Sequence, residues 1–356
     1  MHQSPKQRRY LILSPHEFST TAKTAHGVIR YSQDDTVAVV DPDNAGRTVH
    51  DVLPYLDSRA PIVPDVESGL KYGPTSLLIG VAPVGGALPR AWRSEILRAI
   101  EAKLEIVSGL HELLGEDPEF TAAAKRTGSR LWDVRVPPHV PLFSGAAYNV
   151  GVPILLTVGS DCAVGKLTAS LEIARAANER GRRAKVAATG QTGIMITGRG
   201  ICIDRVIADF APGAAEMVVV EAAKNSDLVV VEGQGGINHP AYAPVTLALL
   251  FGSAPDALLL VGDPTRPSLE GGFATPRLPW RRLVELYESL ASAVKPASVV
   301  GIALNTFRMT PQEAENELQR VRAETSLPAD DVVRNGPHAL YDEIAPQLKK
   351  HRQLVA

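Results

Sequence analysis

Ten consecutive residues constrain this chain more than any others: Gly159-Ser160-Asp161-Cys162-Ala163-Val164-Gly165-Lys166-Leu167-Thr168. They follow an apolar run at 154–158 and open an amphipathic stretch, 166–180, that Gly181 stops. A glycine-rich turn between a buried strand and a helix is the setting of a phosphate-binding loop. Its backbone N–H groups wrap the anion, and the helix N-terminus adds a partial positive charge. In this reading Gly159, Ser160, Asp161, Val164, Gly165, Lys166, Leu167 and Thr168 line the phosphates, and Lys166 reaches the outer ones as a point charge. The plain alternative is a strand-to-helix turn carrying a surface lysine. Two departures from the usual pattern matter. Five residues separate the glycines, and Leu167 stands where Ser or Thr normally touches Mg²⁺. Thr168, one position on, points about 100° away around a helix. The loop therefore predicts a ligand whose phosphates are held without being cleaved.

Two later strand ends carry further signals. Val229-Val230-Val231-Glu232-Gly233-Gln234-Gly235-Gly236 is a buried strand closing in a carboxylate and glycines. Glu232 and Gly233 are placed there as nucleotide-site residues, against the alternative of a tight turn with a solvated glutamate. Asn238-His239-Pro240 follows at the edge where α/β sheets bind ligands, which makes His239 an acid/base candidate. Val299 to Leu304 is a strand ending in Asn305, whose amide can meet an adenine edge, although asparagine is common in turns.

At 356 residues the chain exceeds one ordinary hydrophobic core. Short strands at 10–13, 36–40, 75–81 and 104–107 alternate with helical spacing at 89–103 and 119–125. Such alternation predicts a parallel, Rossmann-like sheet, yet no G-x-G-x-x-G follows any of these strands. The Pro/Gly-rich stretch 137–153 reads as a linker, and beyond it strands at 154–158, 185–188, 228–231, 257–261 and 298–304 restart the pattern. The expected fold class is α/β: a Rossmann-like N-terminal domain over 1–150 and a P-loop NTPase-like domain over 151–356 with a mainly parallel sheet. Thr310-Pro311-Gln312-Glu313 is a capping box, and Leu283, Leu286 and Leu290 show helical spacing over 280–294.

A net charge of −2 gives no basic field for nucleic acid or anionic membrane. The apolar stretch 243–262 is broken by Pro244, Pro255 and a Gly-Ser turn, so it reads as a short helix and a buried strand, not a membrane span. With two cysteines and no leader-like N-terminus, a cytoplasmic enzyme is expected, acting on a small molecule and assembling as a homo-oligomer. Nothing in the pattern of histidines and cysteines predicts a metal site.

The loop, the V-E-G-Q-G-G strand end and Asn305 together resemble the dethiobiotin synthetase branch of P-loop proteins over 154–305. The whole chain resembles more closely a two-domain family long labelled as of unknown function, with a Rossmann-like domain joined to a P-loop domain. That resemblance rests on Lys23-Thr24-Ala25-His26-Gly27, Ser108-Gly109-Leu110-His111, Asp133-Val134-Arg135, Thr189-Gly190-Gln191-Thr192-Gly193, Asp209-Phe210 and Asn238-His239-Pro240. A Lys-Leu/Met-Thr loop is usual in that family, and D-glutamate N-acetyltransferase is an activity found in it. The resemblance thus implies acetyl-CoA as cosubstrate and an acidic amino acid as acceptor. CoA carries a 3′-phosphorylated ADP that such a loop can hold without metal-assisted cleavage.

Amide formation needs a base and oxyanion donors. His111, His239 and Asp133 are the base candidates, and backbone at 85–86 and 190–193 is the donor candidate. Arg135, Arg199 and Arg30 are the candidate carboxylate clamps, each equally readable as a surface arginine. Three other readings stand beside this one: an ATP/Mg²⁺-dependent kinase or ligase, a nucleotide-binding module without turnover and, last, an NAD-dependent oxidoreductase.

Overall fold

The computed structural model describes residues 7–81, 88–272 and 275–350. They form two compact units. The first takes the described residues up to Val136 together with Ile194–Gly198; the second takes Pro137–Gly193 and the described residues from Arg199 onward.

In the first unit, β1 (Arg9–Leu13), β2 (Asp35–Val40), β3 (Ile62–Val63), β4 (Ser76–Ile79), β5 (Glu105–Ser108) and β6 (Leu131–Asp133) make one sheet in the order β3-β2-β1-β4-β5-β6. All its pairings are parallel. This is the doubly wound order that the strand-helix alternation predicts. Tyr10, Leu11, Ile12 and Leu13 are all fully buried, as expected of a strand covered on both faces. Local chemistry sets the ends of helix Pro118–Thr127. Asp117 accepts the Glu119 and Phe120 N–H groups, Pro118 starts the first turn, and Gly128 closes the helix at φ +79°.

The second unit holds β7 (Ile154–Gly159), β8 (Ala184–Ala187), β9 (Leu228–Val231), β10 (Ala257–Gly262), β11 (Ser298–Leu304) and β12 (Ala329–Asp330). Their order is β12-β11-β10-β7-β9-β8, again with every pairing parallel. After β8 and β9 on one side of β7, the chain continues with β10 on its other side. The carboxyl ends of β9, β7 and β10 therefore border a topological switch point, where such sheets leave a crevice. Gly233 is required at this point: a Cβ there would stand 1.7 Å from the Thr157 carbonyl oxygen of β7.

The stretch 137–150, which reads as a linker, packs on this second unit. The Glu216 carboxylate accepts the Ser144 N–H at 2.8 Å, its hydroxyl at 2.7 Å and the Ala147 N–H at 3.2 Å. Val140 and Ala147 join the second unit's core. Glu216 lies on helix Ala211–Ala223, which sequence periodicity does not reveal. Eight of its 13 residues are buried, so it lacks the polar face that makes a helix legible. By contrast, the apolar stretch at 243–262 resolves as predicted, into helix Ala243–Gly252 and β10. Among the described residues no helix is long and apolar enough to cross a membrane.

Candidate functional site

β7 ends at Gly159, and the Ser160 N–H donates to the Val261 carbonyl of β10 at 2.8 Å, so the chain turns out of the sheet there. Left-handed residues at Ala163 (φ 51°) and Gly165 (φ 107°) complete the turn, and helix Lys166–Glu179 begins at once. Lys166 folds back over the loop. Its Nζ donates to the carbonyls of Asp161 and Gly235, both at 2.7 Å, which leaves one of three ammonium donors for a ligand. The side chain is buried, and burial lowers its pKa to about 8 against the pull of neighbouring acids. Leu167 and Thr168 are half-buried. Burial likewise pushes the Cys162 thiol up to about 11, so Cys162 is a neutral thiol in the loop.

Glu232 follows β9 directly and is buried beside this lysine. Its Oε2 accepts the Thr189 N–H at 2.9 Å and the Gly190 N–H at 3.1 Å, while the Thr189 hydroxyl donates to the Glu232 carbonyl at 2.8 Å. The Thr189-Gly190-Gln191-Thr192-Gly193 segment is thus a cradle for one carboxylate. A Cβ at Gly193 would stand 2.4 Å from Oε2. Oε1 accepts no hydrogen bond among the described residues. Burial raises the Glu232 pKa to about 7; the two backbone donors and Lys166 pull it down without cancelling the desolvation. Of the oxyanion donors expected at 190–193, the Gly190 N–H is engaged by Glu232. The other expected donors, Gly85 and Gly86, lie outside the described residues.

Two residues that sequence reasoning missed hold the loop in shape. The Tyr287 hydroxyl, fully buried, donates to the Gly159 carbonyl at 2.7 Å and accepts the Ile237 N–H at 3.1 Å. It ties the phosphate loop to the segment after Glu232. Tyr287→Phe is expected to destabilise the protein by about 1–3 kcal/mol, the usual cost of a buried polar group left unpaired. Thermal melting of the two proteins checks this, and an unchanged melting temperature would mean the bridge carries little. Arg266 caps the loop from β10's exit, donating to the carbonyls of Cys162 and Ala163 and to the carboxylates of Asp161 and Glu270. Asp161 Oδ2 also accepts the Glu270 N–H at 2.7 Å.

His239 is fully buried. Its Nδ1 accepts the Ala241 N–H, which makes Nε2 the protonated nitrogen donating to the Glu270 carbonyl at 3.0 Å. Both ring nitrogens therefore serve the architecture of this edge. Asp161, Cys162 and His239 bring ligand-type atoms within 4.8 Å of one another. Arg266 pairs there with Asp161, Asp263 and Glu270. Ser160 Oγ, both amide atoms of Asn238 and Trp280 Nε1 are buried without partners among the described residues. Each such orphan calls for an explanation, and Tyr10, Ser14 and Thr36 of the first unit carry the same feature. At the exit of β11, the Asn305 N–H donates to the Gly262 carbonyl and its Oδ1 accepts the Phe307 N–H.

Comparison with known proteins places this arrangement. Residues 141–341 match the P-loop domain, and residues 42–137 the Rossmann-like domain, of the DUF1611 domains of unknown function. The chain belongs to the DUF1611 family. The crystal structure of a DUF1611 protein from Anabaena variabilis has the same fold, with a TM-score of 0.91, 38% identity and coverage of 96% of this chain and 100% of that one. A D-glutamate N-acetyltransferase from Tritonibacter scottomollicae is 38% identical over 286 residues, spanning 79% of this chain and 84% of that protein. Another from a Pseudoalteromonas species is 36% identical over 267 residues, 75% of this chain and 80% of that protein. The chain is thus a Rossmann/P-loop enzyme related to D-glutamate N-acetyltransferases.

The remaining sequence candidates are each placed within one unit of this DUF1611 fold. Asp133, at the end of β6, accepts the Leu114 N–H at 3.0 Å and the Gly115 N–H at 2.8 Å, so both of its oxygens hold a neighbouring turn. His111 is exposed three residues after β5. Arg135 is buried, with Nε donating to the Gly109 carbonyl at 2.7 Å. Arg30 is exposed, its guanidinium over the Tyr31 ring. Those four belong to the first unit. Arg199, exposed, belongs to the second, just past helix Gln191–Thr197.

Proposed function

We propose that this chain transfers the acetyl group of acetyl-CoA to the amine of D-glutamate or a similar acidic amino acid, with the P-loop holding the CoA pyrophosphate. The observation that carries the reading is Glu232. It is a buried carboxyl with a proton affinity near neutrality and an open Oε1, set beside a phosphate loop whose lysine is followed by Leu167 instead of a metal-binding hydroxyl. The two relatives named D-glutamate N-acetyltransferase support an acidic amino acid as the acceptor.

In this mechanism Lys166 and the N-terminus of its helix hold the pyrophosphate. Glu232 Oε1 takes the proton of the acceptor's ammonium group. The freed nitrogen attacks the thioester carbonyl, a C–N bond forms and the C–S bond breaks; the protonated Glu232 returns its proton to the departing thiolate, and the nitrogen sheds its second proton to solvent as the neutral amide forms. A base matched to the working pH is worth about 10²–10⁴-fold. This role passes to Glu232 from His239 and Asp133, whose hydrogen bonds are already engaged. Of the candidate clamps, Arg199 follows the helix that starts at the Glu232 cradle and is the one we assign to an acceptor carboxylate.

The test is thiol release from acetyl-CoA with D-glutamate, L-glutamate and no acceptor, each with and without a chelator. Release that needs an acidic amino acid and ignores the chelator supports the proposal. Mg²⁺-dependent ADP release from ATP, with no response to acetyl-CoA, overturns it in favour of a kinase or ligase.

A further inference from the structure

Gln234, two residues past Glu232, has no part in the chemistry above, yet it is fastened to the same cradle. Its Nε2 donates to the Thr189 carbonyl at 2.5 Å and to the Thr189 hydroxyl oxygen at 3.2 Å. A carbonyl only accepts, so the amide cannot turn over without setting two oxygens against each other. Oε1 is therefore kept on the side away from Thr189. That oxygen accepts no hydrogen bond among the described residues. The side chain is half-buried.

Gly190 marks where the two side chains come together. The atoms nearest the point where a Cβ would stand there are Glu232 Oε1 at 3.2 Å, then Gln234 Nε2 and the Glu232 carboxyl carbon, both at 3.8 Å. The space before Gly190 is thus faced by the open oxygen of Glu232 and by the Gln234 amide. In the ionised state of Glu232, the two unused atoms, its Oε1 and Gln234 Oε1, carry lone pairs and no proton. A group that satisfies both must bring at least two donors. A hydroxyl brings one, whereas a primary ammonium brings three, and its charge is matched by the carboxylate. We infer that this space seats the amino group of the acceptor, with Glu232 taking its proton and Gln234 holding a second N–H. Gln234 is then an acceptor-binding residue that favours an amine over an alcohol. Glycine at 190 suits the same role, since a methyl group there would crowd the oxygen that must reach the amine. The inference rests on the acetyl-transfer reading above.

Initial rates of thiol release from acetyl-CoA by the full chain, with D-glutamate varied, test it. Gln234→Leu is expected to raise KM for D-glutamate by about 10–100-fold, the scale of one hydrogen bond to a charged group, with KM for acetyl-CoA unchanged. Gln234→Glu keeps an oxygen in place of Oε1 but gives up the donor to Thr189, and should bring KM for D-glutamate back towards wild type. Gly190→Ala should raise that KM while sparing the one for acetyl-CoA. If the leucine and glutamate variants are impaired alike, Gln234 only braces Thr189 and the assignment falls. It falls too if Gln234→Leu or Gly190→Ala leaves KM for D-glutamate at the wild-type value, and in each of these cases the transferase reading survives. If wild type releases no thiol with D-glutamate or L-glutamate, both fall together.

Discussion

Replacing Lys166 by alanine is expected to weaken acetyl-CoA binding by about 100-fold or more, in a protein that still folds although the Asp161 and Gly235 carbonyls lose a donor. Two of the lysine's three N–H groups hold the carbonyls of Asp161 and Gly235, so the ammonium is held in place before any ligand arrives, with one donor left. No rotamer entropy remains to be lost when phosphate binds, and a buried ammonium meets the anion with little water to screen it. Charge-assisted hydrogen bonds of this kind contribute about 1.5–3 kcal/mol each, and the charge itself adds to that. Titration calorimetry on both proteins measures the loss. An alanine variant with near-wild-type affinity would mean that the pyrophosphate is bound elsewhere. There is also a pH signature. Burial sets the Lys166 pKa at about 8, and a bound phosphate raises it, so binding takes up a proton above that pH. Affinity for acetyl-CoA is therefore expected to fall as pH rises past 8, and the alanine variant should show no such slope.

The second large effect belongs to Glu232. Glu232→Gln is expected to lower kcat by about 10²–10⁴-fold with little change in KM for acetyl-CoA, since the amide cannot accept the ammonium proton. In wild type the ionised form is active, so at saturating acetyl-CoA kcat/KM for the acceptor should rise with pH, with its midpoint near 7. The variant should lose that limb. Stability moves the other way. The folded protein holds the Glu232 proton more tightly than the unfolded chain does, so this group's contribution is complete below the ordinary value of 4.5 and is lost as pH rises through about 7. Glutamine keeps an acceptor for the Thr189 and Gly190 N–H groups without the buried charge, and the variant should melt no lower than wild type at pH 8. Lost activity with an intact fold separates a proton-transfer role from a structural one. A variant that retains kcat would return the base to another residue.

Much of the second unit was legible before any tertiary structure. The phosphate loop is written in adjacent residues, because its strand, turn and helix are local. The capping box at Thr310 and Glu313 was legible for the same reason. So was the division of 243–262 into helix and strand, where Pro and Gly punctuate the chain. Strand-helix alternation is also a local signal, which is why both parallel sheets could be expected. Helix Ala211–Ala223 escaped because a helix buried nearly all round has no polar stripe to mark its period.

What the sequence determined by itself, then, was the pair of parallel α/β layers, the phosphate loop and the strand-end carboxylate at Glu232. What each charged group does was decided only in three dimensions. Glu232 reads in one dimension as a nucleotide-site carboxylate. The proposed proton-acceptor role depends on Thr189, Gly190 and Gly193, some 40 residues earlier, which enclose it. Tyr287 reaches Gly159 across 128 positions, and Arg266 reaches Asp161 across 105. Asp133 and His239, plausible bases by position, turn out to hold backbone. The physical reason is common to all of them. Proton affinity and hydrogen-bond satisfaction depend on desolvation and on neighbours, and in a parallel sheet those neighbours come from the ends of strands far apart along the chain.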